Sequence, residues 1–152
     1  MPTAVLFPGQ GSQTPDMRER VAATRPELID LAIEAVGEDP FARADEDTRF
    51  AQPAILAASL AGWTLMQERL DEAPVAVAGH SLGELSALAA AQALSERDAL
   101  RLAALRGRLM SESGARRGDG TMLAALGGDR ITRSTAYFDP RAIVEHLSGV
   151  TT

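Results

Sequence analysis

A chain of 152 residues is long enough to bury one hydrophobic core, and its 45% hydrophobic and 24% charged content is that of a globular protein rather than a disordered one. The net charge of -6 argues against nucleic acid and anionic lipid as partners, although a local cluster of arginines, which supply all 15 basic residues, would still meet an acidic surface. The absence of cysteine excludes disulfides, thiolate metal sites and a cysteine nucleophile.

No basic leader precedes the apolar run that ends at Phe7, and no stretch approaches about 18 uninterrupted apolar residues, so a cytoplasmic chain with no membrane span is expected. Residues 3–7 read as a fully buried strand stopped by Pro8-Gly9. The loop Gly9-Gln10-Gly11-Ser12-Gln13 has the look of a phosphate loop, but no Gly-Lys-Ser/Thr follows it. Thr14 also stands where a dinucleotide fingerprint needs its third glycine. No nucleotide cradle, cofactor or metal is therefore expected.

From Pro26, the residues Leu28, Ile29, Leu31, Ala32, Ile33, Ala35 and Val36 recur at helical spacing, and Gly37 supplies the stop. The acidic stretch 38–47 reads as a solvated connection. Pro53 is expected to open a long helix reaching Leu70, since proline suits a first helical turn; Trp63 and Met66 on it read as core. Residues 75–78 form a second short apolar strand. It runs directly into Gly79-His80-Ser81-Leu82-Gly83-Glu84 and then an alanine-rich helix. Ser95 and Asp98 make a capping-box pattern that starts a helix reaching about Gly114. Beyond a turn at Gly118-Asp119-Gly120, residues 121–126 read as a further strand, residues 130–137 show no clear period, and residues 140–147 read as a short helix.

Strand, tight turn, serine, helix is the order in which a serine nucleophile is presented free of a sheet. Gly79 and Gly83 relieve crowding where the strand folds back, and the helix N-terminus aims backbone N–H groups at Ser81, with the Leu82 N–H as an oxyanion donor. His80 is adjacent, but a neighbour in so tight a turn points away from the nucleophile, so it reads as a structural hydrogen-bonder. In a parallel sheet the loop after the first strand lies beside this turn and is placed to supply a second oxyanion N–H.

Along the helix from Ser95, Ala99, Leu102, Leu105, Leu109 and Met110 fall on one arc at about 100° per residue, and Arg106 falls inside it. Arg97, Arg101 and Arg108 share a more polar sector. A buried guanidinium needs a partner, and a carboxylate gives it two short charge-assisted bonds. Arg106 thus reads as a carboxylate receptor, with a salt bridge to Glu84 or a snorkelling side chain as the structural alternatives. If a ligand carboxylate is the partner, the acyl group is a diacid half-ester such as malonyl.

With Phe7-Pro8-Gly9-Gln10-Gly11-Ser12-Gln13, Gly79-His80-Ser81-Leu82-Gly83-Glu84-Leu85 and Arg106-Gly107-Arg108-Leu109-Met110 in this order, the chain resembles malonyl-CoA:acyl carrier protein transacylases and the acyltransferase domains of polyketide synthases. The resemblance covers residues 4–126. It implies an α/β fold, an α/β-hydrolase-like parallel sheet core with flanking helices, for residues 1–126. It also implies malonyl-CoA and acyl carrier protein as partners in fatty acid or polyketide biosynthesis.

In that family Ser81 would be the nucleophile, Arg106 the malonate-binding arginine, Gln10 and Leu82 the backbone oxyanion donors, and His80 the motif histidine. The family's general base is a histidine in the later half of a longer chain, beyond an inserted ferredoxin-like subdomain, and no segment here matches its motif. Residues 136–147 resemble a helix near the family's far end, so 127–152 reads as a divergent or junction segment. His146 is the only other imidazole. A serine esterase or thioesterase on the same turn, and a non-catalytic fragment, are the competing readings; Arg106 disfavours the first, and the missing histidine favours the second.

Overall fold

Two short apolar runs, Ala4–Phe7 (β1) and Ala76–Gly79 (β2), satisfy their backbones by pairing in parallel, with Ala4 opposite Ala76 and Phe7 opposite Gly79. The computed structural model describes the backbone of residues 2–117, 121–127 and 130–137 and the side chains of residues 2–113. Parallel pairing requires a long crossover, and the intervening helices provide it. β1 is not fully buried as expected. Val5 and Phe7 point inward, whereas Ala4 and Leu6 are exposed, so the described sheet has one covered face. That face packs Val5, Phe7 and Ala87 with Trp63, Val77 and Ala90, and Phe7 meets Trp63 edge-on at 6.1 Å.

Met17–Thr24 forms α1, a helix without a clear sequence signal because only Met17 and Val21 of its residues are buried. Glu27–Val36 (α2) follows the expected periodicity and ends at Gly37 in the left-handed conformation, φ 93. The acidic connection is not wholly irregular. It contains a 3-10 turn, Pro40–Arg43, started by the Asp39 carboxylate accepting the Phe41 N–H at 3.0 Å.

The long helix α3 spans Thr48–Gln67 and starts before Pro53, not at it. Asp47 caps it, accepting the Arg49 N–H at 2.7 Å. The missing N–H of Pro53 forfeits one intrahelical bond, and burial of all of residues 50–57 offsets that loss. Gly83–Ala90 forms α4 and Glu96–Arg117 forms α5. As expected, α5 begins at Ser95, whose hydroxyl oxygen accepts the Asp98 N–H at 3.1 Å.

The main core joins Val21, Leu28, Ile55, Leu56, Leu60, Leu82 and Leu100. It lies within the compact unit Met1–Ser111; a second unit covers Glu112–Thr152. In the second unit, Thr121–Gly127 (β3) pairs antiparallel with Arg130–Tyr137 (β4). β3 was anticipated. β4 was not, although Ile131, Thr132, Thr135 and Tyr137 suit a strand. The helix expected over residues 140–147, and His146 with it, fall outside the described residues. A small parallel sheet with flanking helices is the expected α/β class.

Candidate active site

β2 ends at Gly79 and α4 begins at Gly83, so the chain reverses within three residues. Ser81 sits at the apex with φ 57, a left-handed conformation that strains any residue bearing a Cβ. A Cβ on Gly79 would overlap the Gly83 carbonyl, and one on Gly83 would overlap the Phe7 carbonyl and stand 2.8 Å from the Pro8 oxygen. The two glycines are therefore what the turn demands. The Gly83 N–H donates to the His80 carbonyl at 2.9 Å, and the Glu84 N–H to the Ser81 carbonyl at 3.1 Å. Leu82, with its side chain wholly buried in the main core, anchors the turn from below.

The loop after β1 lies against this turn. The His80 N–H donates to the Phe7 carbonyl at 3.1 Å, and a Cβ on Gly9 would stand 2.8 Å from the His80 carbonyl oxygen. Inside the loop, the Gly11 N–H donates to Gln13 Oε1 at 3.0 Å and the Ser12 hydroxyl to the Gly9 carbonyl at 2.8 Å. Among the described residues neither the Gln10 N–H nor the Leu82 N–H has an acceptor, which is the condition an oxyanion donor must meet. The imidazole of His80 is exposed and makes no hydrogen bond to a described residue, Ser81 included, so the structural bond expected of it has no partner there.

Arg106 reaches the Ser81 hydroxyl directly. Its Nη2 donates to Ser81 Oγ at 2.9 Å and its Nη1 to Gln52 Oε1 at 2.8 Å. The alternative of a salt bridge to Glu84 does not form; Arg106 pairs with no acid among the described residues. Arg106 does not lie within a buried apolar arc. Leu102, Leu105, Leu109 and Met110 are between 43% and 50% exposed, whereas Ala99, Leu100, Ala103 and Gly107 are buried. α5 packs through Leu100 and a row of small residues, and Thr48 on α3 donates its hydroxyl to the Gly107 carbonyl at 2.9 Å. Arg106 is half-buried because it flanks that small-residue face.

Gln52 was not singled out in the sequence. It is a fully buried amide in an otherwise apolar run of α3, and that polar interruption was the available signal. Among the described residues no group of three metal-ligating side chains assembles, and no helix is long and apolar enough to cross a membrane.

The arrangement is a hydroxyl whose oxygen accepts from a cation, while its own proton has no acceptor among the described residues. Gln52 is neutral, so the guanidinium keeps its charge. Two of its five N–H donors are engaged by described residues, and a guanidinium N–H pair is of the kind that binds a carboxylate.

The family model described as acyl transferase domain matches residues 5–145. The chain is 44% identical to the polyketide biosynthesis protein ThaF of Burkholderia thailandensis, over 92% of this chain and 13% of that protein. It is 40% identical to the malonyl CoA-acyl carrier protein transacylase of Escherichia coli, over 83% of this chain and 44% of the other. Among solved structures, the acyl-carrier-protein S-malonyltransferase of Burkholderia pseudomallei superposes with a TM-score of 0.66 at 40% identity, over 86% of this chain and 45% of that one. The chain thus spans less than half the length of these relatives.

Proposed function

This chain belongs to the acyl transferase domain family, and from that premise we propose that Ser81 takes a malonyl group from malonyl-CoA and passes it to an acyl carrier protein in fatty acid or polyketide biosynthesis. What carries the reading is the bond from Arg106 to Ser81. In malonyl the free carboxylate is one carbon away from the thioester carbonyl. A carboxylate held by this fork therefore brings that carbonyl to the roughly 3 Å at which the serine oxygen attacks. A generic esterase needs no cation at that place.

In the first half-reaction Oγ bonds to the thioester carbon, its proton leaves to a base, and the N–H groups of Gln10 and Leu82 hold the developing oxyanion. Collapse breaks the carbon–sulfur bond and releases coenzyme A as the thiol. The carrier thiol then attacks the seryl ester in the same way, and Ser81 recovers its proton. The family resemblance implies a histidine base beyond the matching part of this chain, and loss of such a base costs roughly 10⁴- to 10⁶-fold in turnover. That no described residue accepts the Ser81 proton favours, as a second reading, a form that does not turn over. The setting proposed for the activity is the cytoplasm.

Intact-mass analysis after incubation with malonyl-CoA tests the proposal. A malonyl adduct is expected on the chain, absent from Ser81→Ala and discharged by a thiol-bearing carrier protein. Arg106→Ala is expected to lose malonyl loading far more than acetyl loading. No adduct under any condition supports the second reading.

A further inference from the structure

We infer that Gln52 positions Arg106 and thereby sets the preference of the site for an acyl group ending in a carboxylate over a neutral one; the inference rests on the malonyl reading above. Gln52 is wholly inaccessible within a run that is otherwise apolar. A primary amide is costly to bury unless it is hydrogen-bonded, and here both ends are engaged. Oε1 accepts from Arg106 Nη1 at 2.8 Å, and Nε2 donates to Met110 Sδ at 3.2 Å. The orientation of the amide follows from chemistry alone, because a guanidinium only donates and must face the carbonyl oxygen. One end of the fork is thereby tied to α3 while the other reaches Ser81 Oγ at 2.9 Å.

The choice of an amide has a consequence for specificity. A carboxylate at position 52 would hold the guanidinium equally well but would also neutralise it, and an incoming substrate carboxylate would meet an occupied cation. The amide holds the position and leaves the charge. A leucine would fill similar volume but strip a half-buried N–H of its acceptor and free a long, flexible side chain to swing away from Ser81. Gln52 is in this sense a positioning residue: it acts through Arg106 and touches no reacting atom.

The test compares the full chain with Gln52→Glu and Gln52→Leu. Seryl-ester formation is read by intact mass from malonyl-CoA and from acetyl-CoA, with phenylmethylsulfonyl fluoride as a reagent for Ser81 that carries no carboxylate. Gln52→Glu is expected to lower the malonyl-to-acetyl ratio by about tenfold or more, the scale of one hydrogen bond to a charged group. Sulfonyl labelling is expected to fall by less than the malonyl step. An unchanged ratio, or equal loss with all three reagents, overturns the inference.

A second measurement needs no turnover, and its deciding arm uses the parent chain alone. Nitrogen NMR of the Arg106 guanidinium in the parent chain should show separate Nη signals, because a fork tied at Gln52 cannot rotate freely. Gln52→Leu should merge them. Merged signals in the parent chain overturn the inference whatever Ser81 does. Separate signals with no malonyl adduct would sink the malonyl reading while the positioning role of Gln52 stands.

Discussion

Ser81 holds a left-handed φ of 57, a conformation that costs a residue with a Cβ on the order of 1 kcal/mol or more. The turn tolerates this because the Leu82 side chain is locked in the core below it and Gly79 and Gly83 admit the surrounding carbonyls. Strain at Ser81, the proposed nucleophile, predicts a divergence between stability and chemistry. Ser81→Gly should raise the free energy of unfolding by about 1 kcal/mol in urea titrations while abolishing any acyl adduct. Ser81→Ala keeps the strain and should gain nothing. At this scale the pattern Gly79-His80-Ser81-Leu82-Gly83 was legible, since its spacing encodes the turn. Arg106 was legible as a cation but not for the reason offered, and Gln52 was not read at all. Which residues meet across α3 and α5 depends on the packing of two helices distant in sequence.

At the scale of elements, a cap rather than proline explains where α3 begins. Asp47 receives the Ser111 hydroxyl at 2.6 Å and the Arg49 N–H at 2.7 Å; these bonds, the hydroxyl's first, hold its carboxyl below the ordinary carboxylate range. A carboxyl with a lowered folded-state pKa contributes stability that is complete above its unfolded value and is lost as pH falls through the folded one. Asp47→Ala should therefore cost about 1 kcal/mol near neutral pH. The gap between parent and variant should close as the pH is taken below about 4, the unfolded carboxylate range. Thermal unfolding of both across pH 7 to about 3 checks the sign, and a gap that widens in acid would contradict it. The cap at Ser95 was readable because both of its partners are close in sequence. The start of α3 was misplaced because Pro53, usually a first-turn residue, sits inside a helix whose burial offsets the lost bond.

For the unit Met1–Ser111 as a whole, the described sheet is covered on one face only, with Leu6 77% and Val75 71% exposed. Two substitutions side by side in β1 should then separate sharply. Leu6→Thr should change stability by less than about 0.5 kcal/mol, because the side chain is already in water. Phe7→Ala should cost about 3–5 kcal/mol, because it empties the space against Trp63. Denaturant titration of both variants measures the contrast, and a large loss for Leu6→Thr would mean that this face is covered in solution.

The local signals, period, caps and turn glycines, were enough for the sequence by itself to determine the strand–turn–helix around Ser81 and the starts of α2 and α5, while the α/β class was implied by the resemblance to the acyltransferase family. Those features depend on residues within one or two turns of each other. Only the tertiary structure decided which face of α5 is buried, that one face of the sheet is open among the described residues, and that Gln52 and Ser81 share one guanidinium. Such pairings join segments separated by dozens of residues, and they follow from how small side chains let α5 approach α3 rather than from any local pattern.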